Sequence, residues 1–281
     1  MGRITDFMAY SSIALALDAP AVAFICMALL QIPFRWEPLA ISFCAALFLY
    51  NLNRHTDAEE DTLNCPERLK FIKKKGKAIL TVSAALFILS LALAFMNSPA
   101  TFAIALSPFA LVFSYSVLRA KRLFLLKNII VAAGWAMIAF LVLSYSQLPL
   151  QEYFGLAAMS VLLLFFARTL IDSIASDMHD IEGDRKARVK TMANIWGIRR
   201  TRAFFHILNI ALLSSLLFAW VFLVPMPFLA YIALLWTSAC IFLLCAINPK
   251  EISETPSGRL MFFLDNETVL LALVLLAIQV Y

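Results

Sequence analysis

Long apolar runs separated by short polar connections dominate the chain, and the runs are apolar on every face. Segments 84–95 and 159–166 carry no polar stripe of the kind a helix lying on a water-filled surface would need. Nine stretches, approximately 10–32, 38–57, 78–96, 99–117, 128–147, 152–175, 203–224, 226–247 and 261–281, reach the ~20 residues that a helix needs to cross a hydrocarbon layer of ~30 Å. The alternating pattern of barrel strands is absent. The pattern predicts an all-α polytopic bundle of nine membrane-spanning helices, with residues 1–281 forming one intramembrane domain. The first stretch lacks a small-residue cleavage site and reads as a span rather than a removable signal.

Composition sharpens this reading. Hydrophobic residues make up 63% of the 281 positions and charged residues 15%, with a mean hydropathy of +0.87. Soluble domains run nearer roughly 45–50% and about 25%. A disordered chain, a disulfide-rich secreted scaffold and a water-soluble Rossmann or barrel enzyme are excluded. Cys26, Cys44, Cys65, Cys240 and Cys245 contain no C-x-x-C pair and only Cys65 falls in a connection, so neither a zinc site nor a disulfide framework is indicated.

The cations fall in alternate connections: Arg68 to Lys77, Arg119 to Lys127, Arg185 to Arg202, and Lys250 with Arg259. Among the intervening short loops only Arg35 is basic. The positive-inside rule places the N-terminus and these four connections in the cytoplasm and the C-terminus outside, in a prokaryotic-type cell membrane. The net charge of +5 follows from that topology and calls for no nucleic acid. Spans one to four and five to eight each carry a long cytoplasmic connection after their second helix, a weak internal repeat.

Those two connections open with acids. The first reads Asn53-Arg-His-Thr-Asp57-Ala-Glu-Glu-Asp61, and the spacing of four puts Asn53, Asp57 and Asp61 on one helical stripe. The second reads Asp177-Met-His-Asp180-Ile-Glu-Gly-Asp184, and it also aligns its three aspartates. Carboxylates on one face repel each other unless a cation neutralises them. Mg²⁺ takes a few carboxylates and completes its shell with water and substrate phosphate oxygens. Two facing stripes predict two Mg²⁺ ions with a diphosphate between them, and the adjacent Lys and Arg residues suit the same anion.

Together with Tyr115-Ser-Val-Leu-Arg-Ala-Lys121-Arg and the later Lys127-Asn128, these motifs resemble those of the UbiA-type intramembrane prenyltransferases, in order and at matching helix ends across most of the chain. The resemblance implies that Asn53, Asp57, Asp61, Asp180 and Asp184 serve two Mg²⁺ ions, with Asp177 beside them. It also implies that Tyr115 and Lys121 contact the diphosphate. Arg54 stands where the family usually has Asp, Ser176 where Lys is common and Arg188 where Gly is common; Arg54 is grouped with the substrate-binding residues. The implied activity is transfer of a polyprenyl group from its allylic diphosphate to a lipophilic or aromatic acceptor, by a monomer or weak oligomer among membrane lipids.

Other marked positions have simpler readings. Asp18, beside Ala19-Pro20 in the first stretch, either orients the acceptor or is an acid hydrogen-bonded beside a proline kink. Arg168 and Asp172, four apart, predict a helix pair. His55 and His179 point off the acidic stripes, and His206 is expected at an interface or in the core. Phe43, Phe48, Phe109, Phe113 and Phe165 are candidates for the prenyl channel. A CDP-alcohol phosphotransferase would need a D-G-x-x-A-R run, which is missing. A cation-coupled transporter would place its acids near mid-membrane on broken helices, whereas these lie at helix ends.

Overall fold

The computed structural model describes residues 3–56, 66–117, 124–146, 148–178, 181, 185, 190–246 and 266–280. Among these the protein is helical, and no strand occurs. The helices are α1 (Arg3–Tyr10), α2 (Ile13–Ala16), α3 (Asp18–Leu29), α4 (Trp36–Thr56), α5 (Pro66–Asn97) and α6 (Pro99–Val117) in the first half. The second half has α7 (Leu126–Leu143), α8 (Leu156–Asp177), α9 (Met192–Trp196), α10 (Ile198–Phe222), α11 (Phe228–Ala246) and α12 (Glu267–Val280).

Each predicted apolar stretch overlaps a helix, but the first and the third differ in form or length. The first is broken rather than continuous. Pro20 has no N–H for the carbonyl of Ala16, which leaves a one-residue gap in the hydrogen-bond ladder at Leu17; the backbone there stays helical, and Pro20 sits in the first turn of α3, where a missing N–H is tolerated. A second interruption is at Ser12, whose backbone is left-handed at φ 64°. The third stretch is longer than its apolar part: α5 begins at Pro66 and takes in Lys70, Lys73, Lys74, Lys75 and Lys77. Lysine is a good helix former and proline suits the first helical position. At ~1.5 Å per residue, the 32 residues of α5 run to about 48 Å, well beyond a ~30 Å apolar layer. Of the last predicted stretch, 261–265 lie outside the described residues.

By length and composition, Leu69–Asn97, Leu126–Leu143, Leu156–Asp177 and Ile198–Phe222 can each cross a membrane. Ile13–Leu29, Pro99–Phe113, Phe228–Leu243 and Glu267–Ile278 are shorter apolar helices. Successive helices pack side by side, and α12 closes back onto α3. Helix α3 occupies the interior: Ala19, Ala21, Val22, Ala23, Ile25, Cys26, Met27, Ala28 and Leu29 are all buried, against α4, α7 and α12. Its alanines let neighbouring backbones approach closely, which is how helices pack where lipid removes the hydrophobic drive. The outward faces are apolar. Ile88 is 66% exposed, Phe222 71% and Phe228 73%, apolar surfaces of the kind a membrane covers.

Polar groups inside this bundle are tied across helices. Trp220 Nε1 donates to Ser160 Oγ at 2.8 Å, joining α10 to α8. Asn209 Nδ2 donates to the Ser238 carbonyl at 3.0 Å, joining α10 to α11. A larger network holds α12. Arg168 Nε on α8 meets Glu267 Oε1 at 2.5 Å, its Nη2 meets Asp172 Oδ2 at 3.0 Å, and Trp236 Nε1 donates to Glu267 Oε2 at 2.9 Å. The helix pair expected of Arg168 and Asp172 is present, with Glu267 as an additional partner far along the chain.

Candidate active site

A half-open apolar cavity of about 120 Å³ lies between α3, α4, α6 and α7. Its α4 wall runs from Asn53 through Tyr50, Leu49, Ala46, Ala45 and Ser42 to Ile41. Val112, Pro108, Ala105 and Ile104 face it from α6, and Ile130, Gly134, Ile138 and Leu141 from α7. The space exists because the residues midway are small. Ala45 and Ala46 line it from α4 and Gly134 from α7, and a Cβ added at Gly134 would meet nothing nearer than Pro108 Cβ at 4.0 Å. None of Phe43, Phe48, Phe109, Phe113 and Phe165 is among the lining residues. Phe48 instead stacks with Phe87 of α5 and with Phe109, Phe109 also meets Phe87 and Phe113 at tilted angles, and Phe165 is buried in the main core.

Asn53 is the polar group at one end of this cavity, and its Oδ1 is buried without a hydrogen-bond partner among the described residues. A carbonyl oxygen in that state loses its hydration with nothing in return, a cost of roughly 1–3 kcal/mol. Such a cost is commonly the mark of a site built for a ligand or ion.

Asp177 closes α8 and is 1% exposed. Lys127 Nζ stands 2.6 Å from its Oδ1, and Asn128 Nδ2 donates to Oδ2 at 3.0 Å and to Ser173 Oγ at 3.0 Å. Both oxygens of Asp177 are therefore engaged by the first residues of α7. The same end of α7 supplies Ile130 and Val131 to the cavity beside Asn53. Helix α7 packs on both α4 and α8, so the opening residues of the two acidic motifs flank one helix start.

Arg54 is not among the residues lining the cavity, and its Nη1 donates to the carbonyls of Ala9 at 3.0 Å and Tyr10 at 2.7 Å, the end of α1. Asp18 is 4% exposed and accepts a hydrogen bond from Thr268 Oγ1 of α12. His55 lies against α5, where a Cβ on Gly76 would meet its Nε2 at 2.9 Å, so only glycine permits that approach. His206 stacks on Phe242 with ring centroids 5.5 Å apart. Tyr115 lies in the last turn of α6. Asp57, Asp61, Lys121, His179, Asp180 and Asp184 lie outside the described residues, as does Arg188. Among the described residues no group of three or more His, Cys, Asp or Glu gathers as a metal site.

The cavity itself and the Asp177 partnerships are what sequence reasoning missed. Their signal is faint but present: small residues or proline at Ala45, Ala46, Ala105, Pro108 and Gly134, and a Lys-Asn pair opening α7.

Known proteins share this fold. The model of the UbiA prenyltransferase family matches residues 13–266. A UbiA homolog from Archaeoglobus fulgidus bound to GPP and Mg²⁺ is 17% identical, with 96% of this chain and 98% of that chain covered and a TM-score of 0.64. The same homolog bound to DMAPP and Mg²⁺ gives 17%, 97% and 98%, and 0.63. The apo structure of a UbiA homolog from Aeropyrum pernix K1 gives 17%, 96% and 99%, and 0.66. No curated protein sequence matches.

Proposed function

Because this chain belongs to the UbiA prenyltransferase family, we propose that it transfers a polyprenyl group from an allylic diphosphate to a lipophilic or aromatic acceptor. The reaction breaks the allylic C–O bond, forms a bond from the allylic carbon to the acceptor, and releases pyrophosphate and the proton that the acceptor gives up. The observation that carries the reading is Asn53: a buried, unpartnered oxygen at the polar end of an otherwise apolar cavity, on the helix that leads into the first acidic motif.

That oxygen is the hard, neutral donor that Mg²⁺ accepts beside carboxylates. The Archaeoglobus fulgidus homolog holds Mg²⁺ together with GPP or DMAPP. We assign Asn53, Asp57 and Asp61 from the first motif and Asp180 and Asp184 from the second to two Mg²⁺ ions. When bound, the metal supplies Lewis-acid stabilisation of the charge on the leaving diphosphate. Tyr115 and Lys121 remain our candidates for contacting that group.

The chain's own residues account for the rest. The apolar walls from Leu49 to Ile41 and from Val112 to Ile104 seat the hydrocarbon tail. They also keep water from the cationic allylic carbon, which water would trap as an alcohol. The start of α7, the positive end of an 18-residue helix, faces the end where the diphosphate would sit. Asp177 is assigned a positioning role, because Lys127 and Asn128 already occupy its oxygens. Arg54 is assigned to the anchoring of α1 and Asp18 to the docking of α12. The active site is assigned to the cytoplasmic side of the membrane, where the basic connections lie.

The test is incubation of the purified protein with prenyl diphosphates and a panel of candidate acceptors, with and without EDTA, followed by mass spectrometry. A Mg²⁺-dependent prenylated product supports the reading. Intact diphosphates under every condition would refute it.

A further inference from the structure

The cavity has a floor as well as a mouth. Beyond Ile41 and Leu141 the walls meet in a packed cluster of Ile41, Ala94, Ala105, Leu141 and Tyr145, each at most 8% exposed. Along α4 the lining runs from Asn53 to Ile41, twelve residues or about 18 Å of helix rise. Helix α7 gives a similar depth from Ile130 to Leu141. All three walls reach the same floor: Ile41 from α4, Ala105 from α6 and Leu141 from α7.

Resting on the transfer reading above, we propose that this cavity gauges the length of the donor's tail and fits about three to four isoprenoid units. Carbon–carbon bonds of about 1.5 Å advance an extended chain by a little over 1 Å each, so one unit spans roughly 5 Å. With the diphosphate held at Asn53, roughly 18 Å takes a farnesyl chain and nearly all of a geranylgeranyl chain. An octaprenyl chain would have to fold back or leave the cavity. The gauge is set by Ile41, Ala105 and Leu141 at the floor and by Gly134 at mid-depth. At Gly134 the absent side chain leaves the passage open opposite Pro108.

Two measurements on the purified enzyme in detergent test this with geranyl, farnesyl, geranylgeranyl and octaprenyl donors. Thermal stabilisation by the non-ionising thiodiphosphates reads binding, and turnover of the diphosphates with Mg²⁺ reads transfer. Binding and kcat/KM should peak at farnesyl or geranylgeranyl and fall by about tenfold or more at octaprenyl. Gly134→Leu should move the optimum to geranyl, and Ile41→Ala should move it toward longer chains. Because Ile41 is also part of the packed cluster, Gly134→Leu carries the test by itself. Equal binding of octaprenyl and farnesyl donors, or a Gly134→Leu variant that weakens every length alike, would overturn the gauge. A length order in binding without turnover at any length would leave the gauge standing and remove the transfer reading. Turnover without a length order would do the reverse.

Discussion

Lys127 Nζ lies 2.6 Å from Asp177 Oδ1, so the first turn of α7 is bonded to the last residue of α8. Asp177 is 1% exposed while the lysine side chain keeps 24% of its surface in contact with solvent. The carboxylate is thus the partner that cannot regain water if the pair is broken.

Lys127→Met should therefore cost about 3 kcal/mol, because it strands a buried carboxylate with only Asn128 as donor. The double variant Lys127→Met, Asp177→Asn should recover most of that loss. Thermal melting in detergent measures both. A single variant as stable as the wild type would show that the pair contributes nothing to the α7–α8 junction.

Arg54 offers a separate test. Arg54→Ala removes two charge-assisted hydrogen bonds from the end of α1, a local loss of roughly 1.5–3 kcal/mol. Amide hydrogen exchange across α1 should accelerate accordingly, with α7 and α8 unaffected. Unchanged protection would mean that contacts other than Arg54, among them those of Phe7 and Tyr10 with Phe71, are enough to hold α1.

Much of the membrane-embedded architecture is legible in the sequence because lipid demands it locally. An apolar run must become a helix to satisfy its own backbone, and the predicted 99–117 stretch coincides with α6. Hydropathy marks where the chain enters the apolar phase, not where a helix begins, which is why Pro66–Lys77 read as a connection although it is helical. Spacing of four identifies Arg168 and Asp172 as a pair because they share a helix face. Nothing local announces Glu267, which reaches Arg168 from 99 residues away, or Thr268, which hydrogen-bonds Asp18 from 250 away. The acidic motifs are visible as short repeats along one helix. The cavity is not, since it requires Ala45, Pro108 and Gly134 of three helices to meet.

The buried network around Arg168 predicts an asymmetric mutational response. Arg168→Leu leaves Asp172 and Glu267 without their cation and should destabilise the protein by about 3–5 kcal/mol. Glu267→Gln should be milder, because Asp172 still neutralises Arg168 and the amide oxygen can still accept from Trp236. Melting temperatures in one detergent give the comparison. The reverse order would contradict the assignment of Arg168 as the hub.

Pyrophosphate release tests most directly whether Asn53 and the two acidic motifs hold the metal. Wild-type protein given a prenyl diphosphate, an acceptor and Mg²⁺ should release pyrophosphate. Release should stop with EDTA and in Asp57→Ala and Asp180→Ala variants that melt like the wild type. Asn53→Ala should raise the Mg²⁺ concentration needed for half-maximal rate by about tenfold or more, as expected on losing a metal ligand. Undiminished release from folded Asp57→Ala and Asp180→Ala proteins would contradict the account.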